Sequence, residues 1–433
     1  MSSVLPQPPE FGLPDKFKEW RPHQESAILS ITDTSNDVMH RVLVCPTGFG
    51  KSLMYVGAAH MSGMRTCILT STKALQDQLV SDFGSIGVVD IRGKNNYKCL
   101  VVDGSADHGP CGAGEECSYR KSGCPFYDQL RKAMGANIVV TNYAFWLTLN
   151  AFSHNDNMGI FDMLVMDEAH NTPDQLMSFL EVQVPKYLVP NPYKDMINTS
   201  KKHNPSKLDW SAWLSTVEVA LSDTITDEKS RWNSDKSKLV KLRRLVLDIK
   251  RAIYNLDNNP DDWEWEIDSN GYSVRFAPIT PGKATDVLFS NVTKQYIYTS
   301  ATVNHKTMEM LGLHKHNYYN SNGDAAFDEC DEYSLVEYPH TFPVDNRRVT
   351  HIKTVRLDRR STSGEIGMWL LRINQIVKWR LDRKGIIHTV SYSRMKMVVE
   401  SLQRDRDISK SGIKIWYHDS KGAAETILRF KHS

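Results

Sequence analysis

The sequence predicts an α/β protein organised around a phosphate-binding loop, and three observations carry that prediction. In "RVLVCPTGFGKSLMYVGAAH" an apolar strand (41–44), a glycine-containing turn and a helix beginning near Lys51 follow one another. In "FDMLVMDEAHN" a second apolar run, 163–166, ends in the adjacent acids Asp167 and Glu168. Further strand-to-helix transitions lie at 70–79 and 138–146, the alternation expected of a parallel sheet covered by helices.

Composition sets the frame. A chain of 433 residues, 40% hydrophobic and 24% charged, matches a soluble globular protein of two to four domains with a sizeable core. The net charge of +2 argues neither for nor against nucleic acid, so any basic surface must be local. The start, "MSSVLPQPPEFGLP", has neither a basic n-region nor an apolar h-region, and no run of about 18 apolar residues occurs. The sequence therefore reads as cytoplasmic and non-membrane, a compartment that disfavours structural disulfides and turns clustered cysteines toward metal.

The first element is the loop itself. Gly48 and Gly50 let the backbone turn so that successive N–H groups face a phosphate, and the helix N-terminus adds its positive end. Pro46, Thr47, Gly48, Phe49, Gly50, Lys51 and Ser52 would form the cradle, with Lys51 on the β and γ phosphates and Ser52 on Mg2+. Cys45 stands where the longer pattern has glycine, so the match is to T-G-x-G-K-[ST]. A chance glycine-rich surface loop would need neither the strand before it nor the helix after it. The second element is the acidic pair. At a strand's C-terminal end, Asp167 can hold magnesium through its water shell, and Glu168 can position and deprotonate an attacking water. A helix N-cap cluster would explain the acids but not the apolar strand that delivers them.

With "CPTGFGKS" before it and "YTSAT" (298–302) after it, the D-E-A-H tetrad resembles superfamily 2 nucleic-acid helicases. The resemblance implies two RecA-like α/β domains around ATP. It also implies DNA-contacting elements in "TSTKALQDQL", with Thr72, and in "IVVTNYAFW", with Asn142 and Tyr143. "WRPHQ" resembles the adenine-reading motif, with Arg21 and Gln24, the Gln24 amide offering both a donor and an acceptor. Ser300, Thr302 and His170 would couple hydrolysis to the DNA groove.

Four of the seven cysteines fall in 94–124, as Cys99-x11-Cys111-x5-Cys117-x6-Cys124, without the C-x2-C pair of most structural zinc sites. Wide, irregular spacing favours a four-iron four-sulfur (4Fe-4S) cluster, while zinc and free thiols stay open. In the branch of superfamily 2 that includes the XPD and DinG helicases, four cysteines lie between the phosphate loop and the tetrad, and "RGKNNYKC" resembles the start of that insertion. Cys45, Cys67 and Cys330 read as small buried hydrophobes.

Between the motor signatures, Leu239, Leu242, Val246, Ile249, Ile253 and Leu256 step along one helix face, and Trp210, Trp213, Leu214, Val217 and Leu221 supply a partner helix. The basic residues Lys238 to Arg251 fall mostly elsewhere on the helix, as a solvated face or a DNA-facing one. A hairpin around Asn270-Gly271 returns the chain to the first motor domain. The domain expectation is therefore a RecA-like first domain (1–93, 129–172, 279–302), an iron-sulfur segment (94–128), a helical arch-like insertion (173–278) and an incomplete second RecA-like domain (303–433). In the last, a helix at 364–381, strands at "KGIIHTVS" and "IKIWYHD" and a helix at "GAAETILRFK" are expected. No later segment carries the fifth and sixth helicase motifs, so no residue is assigned the arginine of the sixth motif, Arg394, Arg404 and Arg406 near the fourth motif included. The resemblance implies an ATP-dependent helicase on single-stranded and forked or tailed duplex DNA, moving 5′ to 3′. A nucleotide-dependent DNA-binding accessory and an inactive fragment remain as other classes.

Overall fold

The computed structural model describes residues 5–33, 38–111, 116–152, 158–231, 235–282, 284–314, 317–319, 325–327, 332–358, 360–418, 426 and 429–430. The chain divides into two units, Met1–Phe342 and Pro343–Ser433.

The first unit is built on a seven-stranded sheet. Its strands are β1 (His40–Val44), β2 (Thr66–Thr70), β3 (Val88–Asp90), β4 (Ile138–Asn142), β5 (Phe161–Asp167), β9 (Val292–Ser300) and β12 (Tyr333–Glu337), in the order β12-β1-β9-β5-β2-β4-β3. Every pairing in it is parallel. Successive residues of a strand point to opposite faces, and each face meets its own core. Val42, Leu164, Met166 and Tyr298 enter one cluster, with the helices Pro125–Gly135 and Tyr143–Phe152. Leu43, Met163, Val165 and Ile297 enter the other, against Gln24–Thr32 and Lys51–Ser62. Burial on both sides explains the near-continuous apolar runs of β2 and β5.

The sequence-predicted boundary at residue 303 is displaced. The chain after β9 forms a short helix, His305–Met310, and then β12, which pairs with β1 along its whole length. A short antiparallel pair, β10 (Asn317–Tyr319) and β11 (Ala325–Phe327), precedes it. The first unit thus continues to Phe342.

The 173–278 insertion has a core of its own. β6 (Val182–Pro185), β7 (Trp263–Ile267) and β8 (Ser273–Pro278) form an antiparallel sheet in the order β6-β8-β7. The helices Lys207–Ser230 and Lys236–Asn258 pack on it through Trp210, Leu214, Leu239, Leu242 and Ile249, all buried. The hairpin turn contains Gly271 at φ 71, a left-handed conformation that glycine adopts without strain. Three basic side chains of the second helix are engaged within the insertion: Lys238 with Glu228, Lys250 with Glu218 and Arg251 with Asp248.

The second unit differs from expectation. Its described residues hold the helices Ser363–Lys378, Tyr392–Arg404 and Arg406–Lys410, joined by a small core of Val398, Leu402 and Ile408. The strands expected at 385–391 and 413–417 are not formed: Ile386 and Val390 are exposed, and neither segment has a ladder partner among the described residues. A strand exists through its ladder, and apolar composition alone does not create one. The helix expected in 422–431 lies mostly outside the described residues. No helix among those described is long and apolar enough to cross a membrane.

Candidate active site

The functional side chains gather where parallel strands end. The phosphate loop follows β1, the acidic pair closes β5, Ser300 closes β9, and the segment after β12 returns across the loop. The C-terminal edge of a parallel sheet is where open α/β folds hold ligands.

The loop is held open by its own residues. Gly48 and Gly50 stand at φ 85 and 82, in the left-handed region. Phe49 is buried beneath the loop, with its N–H donating to the Pro46 carbonyl at 3.1 Å, and the Cys45 N–H donates to Ser300 at 2.8 Å. Thr47 is exposed.

Arg21 and Gln24 do something the sequence reading did not assign. Gln24 is fully buried, and its amide donates to the carbonyls of Phe49 and Gly50 at 2.8 and 3.0 Å. Its carbonyl accepts from the Arg21 N–H at 2.8 Å, and Arg21 Nη1 donates to the Gly48 carbonyl at 2.6 Å. Both N–H groups of the Gln24 amide are therefore engaged with the loop, leaving no donor for an adenine edge in this structure. These two residues shape the cradle from outside.

Lys51 Nζ pairs with Glu168 Oε1 at 2.6 Å, joining two motifs 117 residues apart in the chain. Glu168 sits at φ 51, ψ 48, a left-handed conformation that costs a non-glycine residue about 1 kcal/mol or more. Its N–H donates to Asp167 Oδ1 at 3.0 Å. Around the other Glu168 oxygen, Ser300 Oγ and His170 Nδ1 both lie at 3.5 Å, and they bond each other at 2.7 Å. The Thr302 N–H donates to Ser300 Oγ at 3.1 Å. The expected coupling residues thus form one chain from the acidic pair to the end of β9.

Asp167 is buried, and burial first, with the Glu168 charge adding, raises its carboxyl to about 6 against the pull of Lys51. Tyr55, one helical turn beyond Lys51, contacts both Asp167 Oδ2 at 3.2 Å and Ser52 Oγ at 3.4 Å. Two hard oxygen donors therefore flank one buried hydroxyl, a donor set suited to magnesium.

Of the three residues expected to contact DNA, two cap helices and one is buried. Thr72 is an exposed helix N-cap whose hydroxyl accepts from the Leu75 N–H. Asn142 caps the next helix, accepting from the Phe145 N–H at 2.8 Å. Tyr143 is buried in the core with its hydroxyl on Thr172 at 2.9 Å, so neither its ring nor its hydroxyl faces a groove.

Sequence reasoning assigned no site role to Tyr338 and Phe342. Tyr338 packs on Phe49 with centroids 5.3 Å apart, and its N–H donates to Val44 at 3.0 Å. The half-exposed Phe342 ring occupies the position a Cβ on Gly48 would take. Thr302, Pro46, Thr47, Tyr338 and His340 line a cavity of about 560 Å³ beside the loop.

Elsewhere, Cys45 and Cys67 are buried, as expected, and burial raises the thiol of Cys45 to about 12; Cys330 lies outside the described residues. Cys99 and Cys124 are buried, Cys111 and Cys117 partly so. Cys111 lies within electrostatic range of the other three, whose charge, after burial, raises its pKa. The Val101 N–H donates to Cys99 Sγ at 3.4 Å. Among the described residues no three His, Cys, Asp or Glu side chains converge tightly enough to clamp a single metal ion.

Residues 21–184 match the DEAD/DEAH box helicase family. The ATP-dependent DNA helicase YoaA of Escherichia coli (strain K12) is 25% identical over 36% of this chain and 34% of its own length, so the match spans about a third of that relative. Two solved structures are also similar. "XPD_Helicase" has a TM-score of 0.49 at 13% identity, covering 88% of this chain and 74% of its own. "Structure of S. tokodaii Xpd4" has a TM-score of 0.47 at 12% identity, covering 95% and 79%.

Proposed function

We propose that this chain, whose residues 21–184 are a DEAD/DEAH box helicase domain, binds and hydrolyses ATP and uses the cycle to move on single-stranded DNA and open forked or tailed duplexes. The observation that carries the reading is the 2.6 Å contact of Lys51 with Glu168, which unites the phosphate loop and the acidic tetrad at one sheet edge. In that contact each group is the other's counter-ion. Arriving phosphate charge competes for Lys51, which then holds the β and γ oxygens and releases Glu168. Glu168, bracketed by Ser300 and His170, orients a water and takes its proton at Oε1. Ser52 and Asp167 would hold magnesium, which when bound neutralises charge developing on the phosphate oxygens. Movement of Ser300 with Glu168 passes the event to Thr302. The 5′ to 3′ direction is taken from the resemblance to the XPD and DinG group.

In the same reading, residues 94–128 hold a four-iron four-sulfur cluster on Cys99, Cys111, Cys117 and Cys124, and 173–278 form the arch-like insertion. What supports the cluster is the donor set. Four soft thiols share one neighbourhood, and a backbone N–H points at one sulfur.

The test is ATP turnover with and without single-stranded DNA, beside strand displacement on duplexes carrying a 5′ or a 3′ tail. DNA-stimulated turnover with displacement from the 5′ tail is expected. Turnover without displacement from either tail identifies a nucleotide-dependent DNA-binding accessory, and no stimulation by DNA overturns the reading.

A further inference from the structure

We propose that Tyr55 is a positioning residue for the magnesium site, acting on Ser52 and Asp167 at once; the inference rests on the nucleotide reading above. Tyr55 lies on the helix Lys51–Ser62 and is fully buried. Its hydroxyl is 3.2 Å from Asp167 Oδ2 and 3.4 Å from Ser52 Oγ. It has one proton to give.

The chemistry assigns that proton. An ionised carboxylate only accepts, and the Tyr55 hydroxyl is directed as donor at both Asp167 Oδ2 and Ser52 Oγ, so its single proton serves the two oxygens between them. Tyr55 thus ties the two oxygens to one hydroxyl. Two consequences follow for a cation. The Ser52 oxygen is held in place by Tyr55 through one lone pair and keeps the other for the metal. Asp167 is pinned from both sides, by Tyr55 on Oδ2 and by the Glu168 N–H on Oδ1 at 3.0 Å, so its carboxylate plane is fixed before anything binds. Without the Tyr55 hydroxyl, Ser52 and Asp167 lose the shared partner that fixes their oxygens, and the metal must order both itself. Partners of this kind, behind the direct ligands, typically change metal affinity by about tenfold or more.

Neither Lys51 nor Glu168 is hydrogen-bonded to Tyr55 among the contacts described, so nucleotide binding without metal should not need it. The substitution Tyr55→Phe keeps the ring that fills the core and removes only the oxygen. The experiment compares wild type and Tyr55→Phe in ADP binding with EDTA, in ADP binding across a magnesium titration, and in the dependence of ATP turnover on magnesium. The expected result is an unchanged ADP affinity in EDTA, a magnesium half-saturation raised about tenfold, and turnover restored at saturating magnesium. A merely structural role would weaken ADP binding equally with and without metal. Should Tyr55→Phe be less stable, the gain in Tm on adding magnesium to the ADP-loaded protein makes the comparison within each variant. It should shrink in Tyr55→Phe. Equal magnesium half-saturation in the two proteins, or equal losses with and without metal, overturns the assignment to Tyr55. A wild type with no magnesium-dependent gain in ADP affinity overturns instead the nucleotide site on which it rests.

Discussion

The phosphate loop and the cysteine segment 94–124 are neighbours in sequence order but are ordered in opposite ways. Around the loop, Gln24, Arg21, Lys51, Glu168, Ser300 and His170 satisfy one another, with contacts from 2.6 to 3.5 Å, above a strand buried on both faces. In the cysteine segment the backbone makes short 3-10 turns and one isolated bridge, Lys98 with Ser105. Its thiols share a neighbourhood, yet one weak N–H···S contact is the main bond between a thiol and the backbone N–H groups. The loop carries its own scaffold. In the proposed reading a bound cluster supplies the rest of the segment's order.

The comparison is broken most severely at the thiols. Cys117→Ser should reduce about four irons per chain to less than one and open the 94–124 segment to protease, while ADP binding at the loop persists. Metal analysis and limited proteolysis read the two effects. Stoichiometric zinc in the wild type would remove the cluster from the account.

A smaller effect belongs to the self-supported side. Asp167 keeps its proton up to about pH 6 in the folded state and to about 3.8 in the unfolded chain. Between those values the folded state holds the extra proton, so stability falls as pH rises, by up to about 3 kcal/mol in total. Asp167→Asn should therefore melt higher than wild type above pH 6 in the absence of nucleotide, and the difference should vanish toward pH 4. Magnesium competes with the same proton, so its affinity for the wild-type nucleotide complex should fall below about pH 6. Thermal melts across pH check the first statement and calorimetry the second.

What was legible in the sequence was local. The strand before Lys51, the apolar run into Asp167 and the stripe from Leu239 to Leu256 are patterns read within a single element, and each formed as expected. What escaped depends on distant partners. Nothing near Gln24 reveals that its amide is held by the carbonyls of Phe49 and Gly50, and nothing near Gly48 announces the Phe342 ring. Tyr143 has the composition of a surface motif, but Thr172 and the core claim it. The same limit explains the errors in the second unit. Ile386, Ile387 and Val390 look like a strand, and a strand requires a neighbour that the pattern cannot supply.

The central claim, that the nucleotide site is preassembled by a Lys51–Glu168 contact which phosphate must open, is tested most directly by ATP calorimetry on wild type, Lys51→Ala and Glu168→Gln. Lys51→Ala removes the charge that holds the phosphates and should weaken binding by about tenfold or more. Glu168→Gln removes the competitor for that charge, so it should bind ATP at least as tightly as wild type while losing turnover. Equal affinities for wild type and Lys51→Ala, or a Glu168→Gln variant that binds as poorly as Lys51→Ala, would contradict the account.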